Sequence, residues 1–350
     1  MKAAVWYDVK DLRVEEKEVP DTKSGQVKIK VAWTGICGSD LHEYVAGPII
    51  IPKDKKDPLT GVQAPLTMGH EFSGVVEEVG AGVESVRVGD KVAVNPLIVS
   101  GKAKDTLTDM YRGFGFVGLN SDGGFADYVV VDEEHAVKLD ENMSLEHAAL
   151  MEPTAVALQA IRESRMEFGE SVAIFGAGPI GLLTIIAARA AGAKEIYAFD
   201  LSEERLEKAR EVGATEAINS GKEDPVKYIL DKFPDGIDRS FEVAGVEPTF
   251  HQAVEVTRPR GTMTIISIYE KPVEFHPMSL TSSGVHIVST LAYEPDIFET
   301  TAKMMSSGQI DPSPIITSHI EIEDIVEKGF NALLNDKSQA KILVKLSGEK

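Results

Sequence analysis

Residues Ser171 to Gly181, Ser-Val-Ala-Ile-Phe-Gly-Ala-Gly-Pro-Ile-Gly, constrain the fold of this chain more than any other stretch. Val172 to Phe175 is a short apolar, partly β-branched run, which predicts a buried strand. It leads directly into Gly176-Ala177-Gly178-Pro179-Ile180-Gly181, a G-x-G-x-x-G, and then into an alanine-rich apolar helix from about Pro179 to Ala191. A second strand, Glu195 to Phe199, ends on Asp200. In that setting Gly176 permits a tight turn, Gly178 lets backbone approach a pyrophosphate, and Gly181 lets the helix pack closely on the strand. The first helical residues, Pro179 and Ile180, stand at an N-terminus that offers free N–H groups and partial positive charge. Asp200 is placed to accept hydrogen bonds from an adenosine ribose and to repel a 2′-phosphate, which points to NAD as cofactor. Residues 172 to 193 carry only one charge, Arg189, so a membrane span is the competing reading. The early glycines and proline leave only about 12 residues of helix, against the roughly 20 that cross a bilayer.

Composition narrows the partners. With 350 residues the chain is long enough for two domains. A net charge of −20 argues against nucleic acid or an anionic membrane as partner, since both call for a basic surface. The N-terminus lacks an apolar signal core, which suggests a cytoplasmic protein. A lone cysteine, Cys37, excludes any intrachain disulfide and suits a reducing compartment.

Residues 1 to 150 read as mostly β, with β-branched runs at 2–7, 12–19, 26–32, 71–79, 91–94 and 125–131 separated by turn pairs such as Ser24-Gly25 and Gly89-Asp90. Two loops interrupt them: Gly35-Ile-Cys37-Gly-Ser39-Asp-Leu-His42-Glu-Tyr44 and Thr67-Met-Gly-His70-Glu71-Phe-Ser-Gly74. Thiolate, imidazole and carboxylate are ligand types that zinc prefers, and Glu152 in Leu-Met-Glu-Pro-Thr is a further candidate. Each has a plainer alternative. A single cysteine also serves as a small buried hydrophobe, and Glu152 suits the first turn of a helix from Pro153.

These motifs carry a family likeness. Gly69-His70-Glu71-x-x-Gly74 followed by Gly80 and Val83, the Cys37-Gly-Ser-Asp40 loop and the Gly176 turn resemble, in order and spacing, the zinc alcohol dehydrogenases of the medium-chain dehydrogenases/reductases. The Met151-Glu152-Pro153 arrangement is shared with that family's polyol branch. The resemblance implies an α/β fold: a GroES-like β-rich catalytic domain from residues 1–152 and 293–350, and a Rossmann doubly wound parallel-sheet NAD-binding domain from 153–292. It implies one catalytic Zn2+ on Cys37, His70 and Glu152, with Glu71 as an alternative or transient ligand. It implies a proton relay through Ser39 and His42, each of which also reads as an ordinary helix residue, Ser39 as an N-cap. The implied reaction is reversible hydride transfer between NAD and a small secondary alcohol or vicinal diol, with its hydroxyketone as the other partner. The family often holds a second, structural zinc on four cysteines near residues 95 to 115. That segment has no cysteine here, so Leu97, Ile98, Leu107, Met110 and Tyr111 are expected to pack the lobe instead.

Beyond Asp200, Ser202 caps a helix carrying Arg205, which in the family commonly stacks on adenine. Strand–helix alternation continues through 238–243, 247–256, 261–268 and 285–291. Ala244, Gly245 and Ser267 fall at carboxyl ends of strands, where such sheets bind ligands. Two helices, 296–306 and 323–334, and a last strand at 341–346 complete the reading. The β-branched strand from Val285 suggests a sheet edge paired in a homodimer or homotetramer.

Overall fold

A computed structural model of the chain describes residues 1–99 and 110–347, which divide into two compact units. One comprises Met1–Glu152, Glu294–Ser307 and the chain from Ile316 onward; the other comprises Pro153–Tyr293 and Gly308–Ile315.

In the first unit, β1 (Lys2–Asp8) pairs with β2 (Asp11–Glu16) and β4 (Leu66–Thr67). A seven-stranded sheet has the order β10 (Ala136–Lys138), β6 (Lys91–Val94), β5 (Glu71–Val79), β3 (Gln26–Gly35), β18 (Lys341–Lys345), β17 (Ile316–Glu321), with β9 (Tyr128–Asp132) also on β3. β7 (Leu97–Val99) and β8 (Phe114–Phe116) form a separate ribbon. The start of β3 alternates: Val27, Ile29 and Val31 are buried while Gln26, Lys28 and Lys30 are half-exposed, the period of a strand with one face on the core. Trp6, Ile29, Phe72, Phe125, Phe330 and Val344 fill that core. Register then positions chemistry. Gly35 faces Glu71 on β5 and Leu343 on β18, so two distant parts of the chain meet at the end of β3.

The second unit is a parallel sheet in the order β13 (Glu216–Asn219), β12 (Glu195–Asp200), β11 (Ser171–Phe175), β14 (Ile237–Glu242), β15 (Thr257–Ile265), β16 (His286–Ser289). Every residue of β11 is buried, as expected of a strand covered on both faces. Phe175 stacks on Phe199 with ring centroids 5.1 Å apart, in a core shared with Ile237, Phe250 and Met263. Strand order reverses between β11 and β14, which defines the ligand crevice of a doubly wound sheet. No helix among the described residues is long and apolar enough to cross a membrane.

Three expectations need correction. The single helix over 323–334 is instead a tight turn at Ile322–Asp324, a wide helical turn at Ile325–Phe330 and a short helix at Asn331–Asn335. Gly329 lies against the core, where a Cβ would stand 2.7 Å from Ile36 Cδ1, and glycine holds a helix poorly. Residues 308–315 pack with the second unit rather than the first, where Pro314 O accepts from Lys208 Nζ at 3.2 Å. In the cysteine-free lobe Met110 is buried, but Tyr111 is 63% exposed; Leu107 lies outside the described residues.

Candidate metal centre and nucleotide turn

Cys37 is the N-cap of helix α1 (Gly38–Ala46), and its own N–H donates to Asp40 Oδ2 at 2.9 Å. That contact closes the first turn and fixes the thiol at its mouth. The fully buried Asp40 turns its other oxygen to His70 Nδ1 at 3.4 Å. His70 is delivered by Gly69, whose φ of +100° and tight fit against the Phe125 backbone suit only glycine. Its other nitrogen, Nε2, lies 3.1 Å from Ser39 Oγ. Glu71 follows at the start of β5, completely buried, and Lys341 Nζ from β18 grips it at 2.6 and 2.9 Å while also donating to Ile36 O at 3.0 Å. Room for the carboxylate exists because residue 35 is glycine; a Cβ there would collide with Glu71 Oε2.

The ligand atoms of Cys37, His70 and Glu71 all lie within 4.8 Å of one another. Glu152 sits in the first turn of the helix Met151–Ser164, buried, and is not a member of that tight group. Its carboxyl is pushed up to about 7, chiefly by burial, with His70 and Lys341 pulling it down and Glu71 and Asp40 pushing it up. Burial works against the His70 imidazolium, yet Asp40 and Cys37 outweigh it and hold that pKa well above the usual value. Likewise burial opposes the charged Lys341, and Glu71, Cys37 and Glu152 overcome it. Buried acids therefore outnumber buried bases, an arrangement that a divalent cation offsets. The donors are thiolate, imidazole and carboxylate, and the buried His70 Nδ1 and Asp40 Oδ1 lack any other hydrogen bond. Asp40 stands on the Nδ1 side of the ring at 3.4 Å, which makes Nε2 the nitrogen for a metal. The set fits zinc.

His42 is half-buried on α1, one turn beyond Ser39 on the same face. Three residues here have no role in the sequence reading. Asp40 belongs to the Cys37-Gly-Ser-Asp40 loop but is assigned no task there, Lys341 lies hundreds of residues away, and Glu43 is a buried acid whose carboxylate accepts the N–H groups of Ile49, Ile50 and Ile51. Only the apolar surroundings of Lys341 in a terminal strand signal that its charge needs a buried partner.

In the second unit Gly176 adopts φ +109°, and a Cβ at Gly181 would strike the Gly176 carbonyl. Gly178 has nothing within 4 Å of its would-be Cβ, so backbone is exposed to a ligand where the helix Pro179–Ala190 begins, beside half-exposed Pro179 and Ile180. That open cradle fits a pyrophosphate. Asp200 accepts from Ala177 N at 2.8 Å and Ser202 N at 2.9 Å, leaving lone pairs on both oxygens, and Arg205 Nη1 stands 3.9 Å away. The donors of Ala244, Gly245 and Ser267, at the carboxyl ends of their strands, are engaged within the protein. Ala244 N (2.9 Å), Gly245 N (3.0 Å) and Ser267 Oγ all donate to Glu242, a fully buried acid that the sequence reading passes over.

Comparison with known proteins agrees with both halves. The family model for the alcohol dehydrogenase GroES-like domain matches residues 23–141, and that for zinc-binding dehydrogenase matches residues 179–307. The (R,R)-butanediol dehydrogenase of Bacillus subtilis (strain 168) is 47% identical over 346 residues, covering 99% of each chain. The crystal structure of 2R,3R-butanediol dehydrogenase from Bacillus subtilis superposes with a TM-score of 0.92 at 46% identity, again over 99% of each chain. A protein described as a short chain alcohol dehydrogenase from E. coli CFT073, complexed with the cofactor NADH, has a TM-score of 0.88 at 27% identity over 99% of each chain. The chain belongs to the zinc-binding alcohol dehydrogenase family, an oxidoreductase acting on CH–OH groups, with a GroES-like domain and a Rossmann parallel-sheet domain.

Proposed function

We propose that this protein reversibly oxidises a small vicinal diol with NAD, most closely (R,R)-2,3-butanediol to acetoin, and reduces acetoin or diacetyl in the other direction. The observation that carries this reading is the cluster of half-buried Cys37 with buried His70 and Glu71 in a chain 47% identical over nearly its whole length to a butanediol dehydrogenase.

The first unit holds metal and substrate, and the second holds the cofactor. Cys37 and His70 are ligands, Glu152 is the third by family resemblance although it stands outside the tight group, and Glu71, inside that group and restrained by Lys341, is the alternative ligand. The chemistry that zinc and NAD supply when bound is Lewis acidity toward a substrate oxygen and a two-electron hydride acceptor. Asp40 orients the His70 ring. Ser39 Oγ, already within hydrogen-bond reach of the cluster, takes the hydroxyl proton as the alcohol is oxidised, and His42 one turn away carries it to solvent. Gly176, Gly178 and Gly181 with the helix N-terminus cradle the pyrophosphate, and Asp200 with Arg205 receives the adenosine. One zinc is bound per chain, since the single cysteine leaves no tetrathiolate. The open edge at β16 supports a homodimer or homotetramer.

The test is acetoin reduction by NADH with chiral analysis of the product, with and without a zinc chelator. The (R,R) diol with chelator-sensitive turnover is expected. Full activity after chelation, or faster turnover of a ketose such as fructose than of acetoin, contradicts the proposal.

A further inference from the structure

Glu242 ends β14 in register with Phe175, the residue before Gly176 on β11. The sheet order reverses between those two strands, so Glu242 stands at the mouth of the crevice where a doubly wound sheet binds its ligand. Asp200 ends β12 on the opposite side of β11. A dinucleotide with its adenosine on Asp200 therefore brings its nicotinamide half toward β14 and β15.

The Glu242 side chain is completely buried and collects donors from two loops and a helix. Ala244 N (2.9 Å), Gly245 N (3.0 Å) and Thr249 Oγ1 (2.7 Å) donate to Oε1, while Ser267 Oγ and Tyr269 OH (2.6 Å) donate to Oε2. Two of the five, the N–H groups of Ala244 and Gly245, can only donate, and the two oxygens of a carboxylate have the lone pairs to accept from all five. Two consequences follow. Both loops at the carboxyl ends of β14 and β15 are pinned to one point, with their donors turned away from the crevice. A negative charge is also buried there, where low dielectric lets it act at a distance. The nicotinamide ring is cationic when oxidised and neutral when reduced.

We propose that Glu242 is the positioning residue of the nicotinamide half-site: it fastens the loops at 243–249 and 266–269, and its charge biases the site toward the oxidised cofactor. The inference rests on the reading of the second unit as the NAD site.

The test uses the full chain carrying Glu242→Gln, and separately Tyr269→Phe with Ser267→Ala, which remove two donors and keep the charge. Dissociation constants are measured for NADH by fluorescence and for NAD and AMP by competition. AMP reads the adenosine side alone. For Glu242→Gln, NAD affinity is expected to fall about tenfold and NADH affinity only about threefold, with AMP unchanged. The double variant should weaken NAD and NADH equally, by about threefold, again sparing AMP. Equal loss of NAD and NADH in Glu242→Gln, loss of AMP binding alongside them, or a double variant with unaltered affinities overturns the proposal. Failure of the unaltered chain to bind AMP or NADH removes the underlying reading itself.

Discussion

Around Cys37 the chain works with ionisable side chains: a half-buried thiol with an imidazole, three acids and a lysine that are buried, drawn from α1, the start of β5, β18 and the helix at Glu152. Around Gly176 it works with backbone and empty space, and its acids, Asp200 and Glu242, spend their oxygens holding loops by their N–H groups. The first site is organised mainly by charge, though Gly35 and Gly69 admit no side chain there; the second is organised mainly by backbone shape, with Asp200 and Glu242 as its charges. A buried charge fails when its partner is lost, whereas a turn fails when a methyl group intrudes.

Charge removal should give the largest effect. Lys341→Met leaves Glu71 buried without its cation and is expected to cost about 3–5 kcal/mol of stability, read as an early unfolding transition. Adding Glu71→Gln should recover part of it, since no bare charge then remains. No recovery would mean that Lys341 acts by packing alone. Shape comes next. Gly181→Ala forces a methyl group into the Gly176 carbonyl and should cost about 1–3 kcal/mol with loss of NADH binding and full zinc content. Gly178→Ala, with open space at its Cβ and an ordinary φ of −71°, should leave the melting temperature unchanged and weaken NADH alone. Equal melting losses in the two variants would erase the distinction drawn here.

A smaller change is expected at Asp200. Replacing it by Ser removes the carboxylate that disfavours a 2′-phosphate, and should shift preference toward the phosphorylated cofactor by about tenfold in kcat/KM. The smallest is Ser202→Ala, which deletes the hydroxyl that caps Arg205 N at 3.3 Å and should cost about 1 kcal/mol without altering kcat.

The two regions also differ in how plainly the sequence announces them. The glycine turn is local: strand, turn, helix and acid lie within one continuous stretch, so its period and spacing suffice. Cys37, Ser39 and His70 are legible as loop motifs, but Lys341 is not, because what makes it part of the site is strand register across β3. Glu43 and Glu242 are invisible for another reason. An acid that binds backbone N–H groups has no partner type to search for, and only burial reveals it. The helix over 323–334 misreads for a third reason: packing of Gly329 against Ile36 overrides a fair helical pattern.

Metal and cofactor should be held by independent parts of the chain. Cys37→Ala tests it most directly, with zinc content by metal analysis, NADH binding by fluorescence and acetoin turnover measured on one preparation. The expected result is loss of zinc, turnover reduced by about a thousandfold or more, and an NADH dissociation constant within about twofold of the unaltered chain, which is less than 0.5 kcal/mol. Retained zinc with retained turnover, or NADH affinity lost together with the metal, would contradict it.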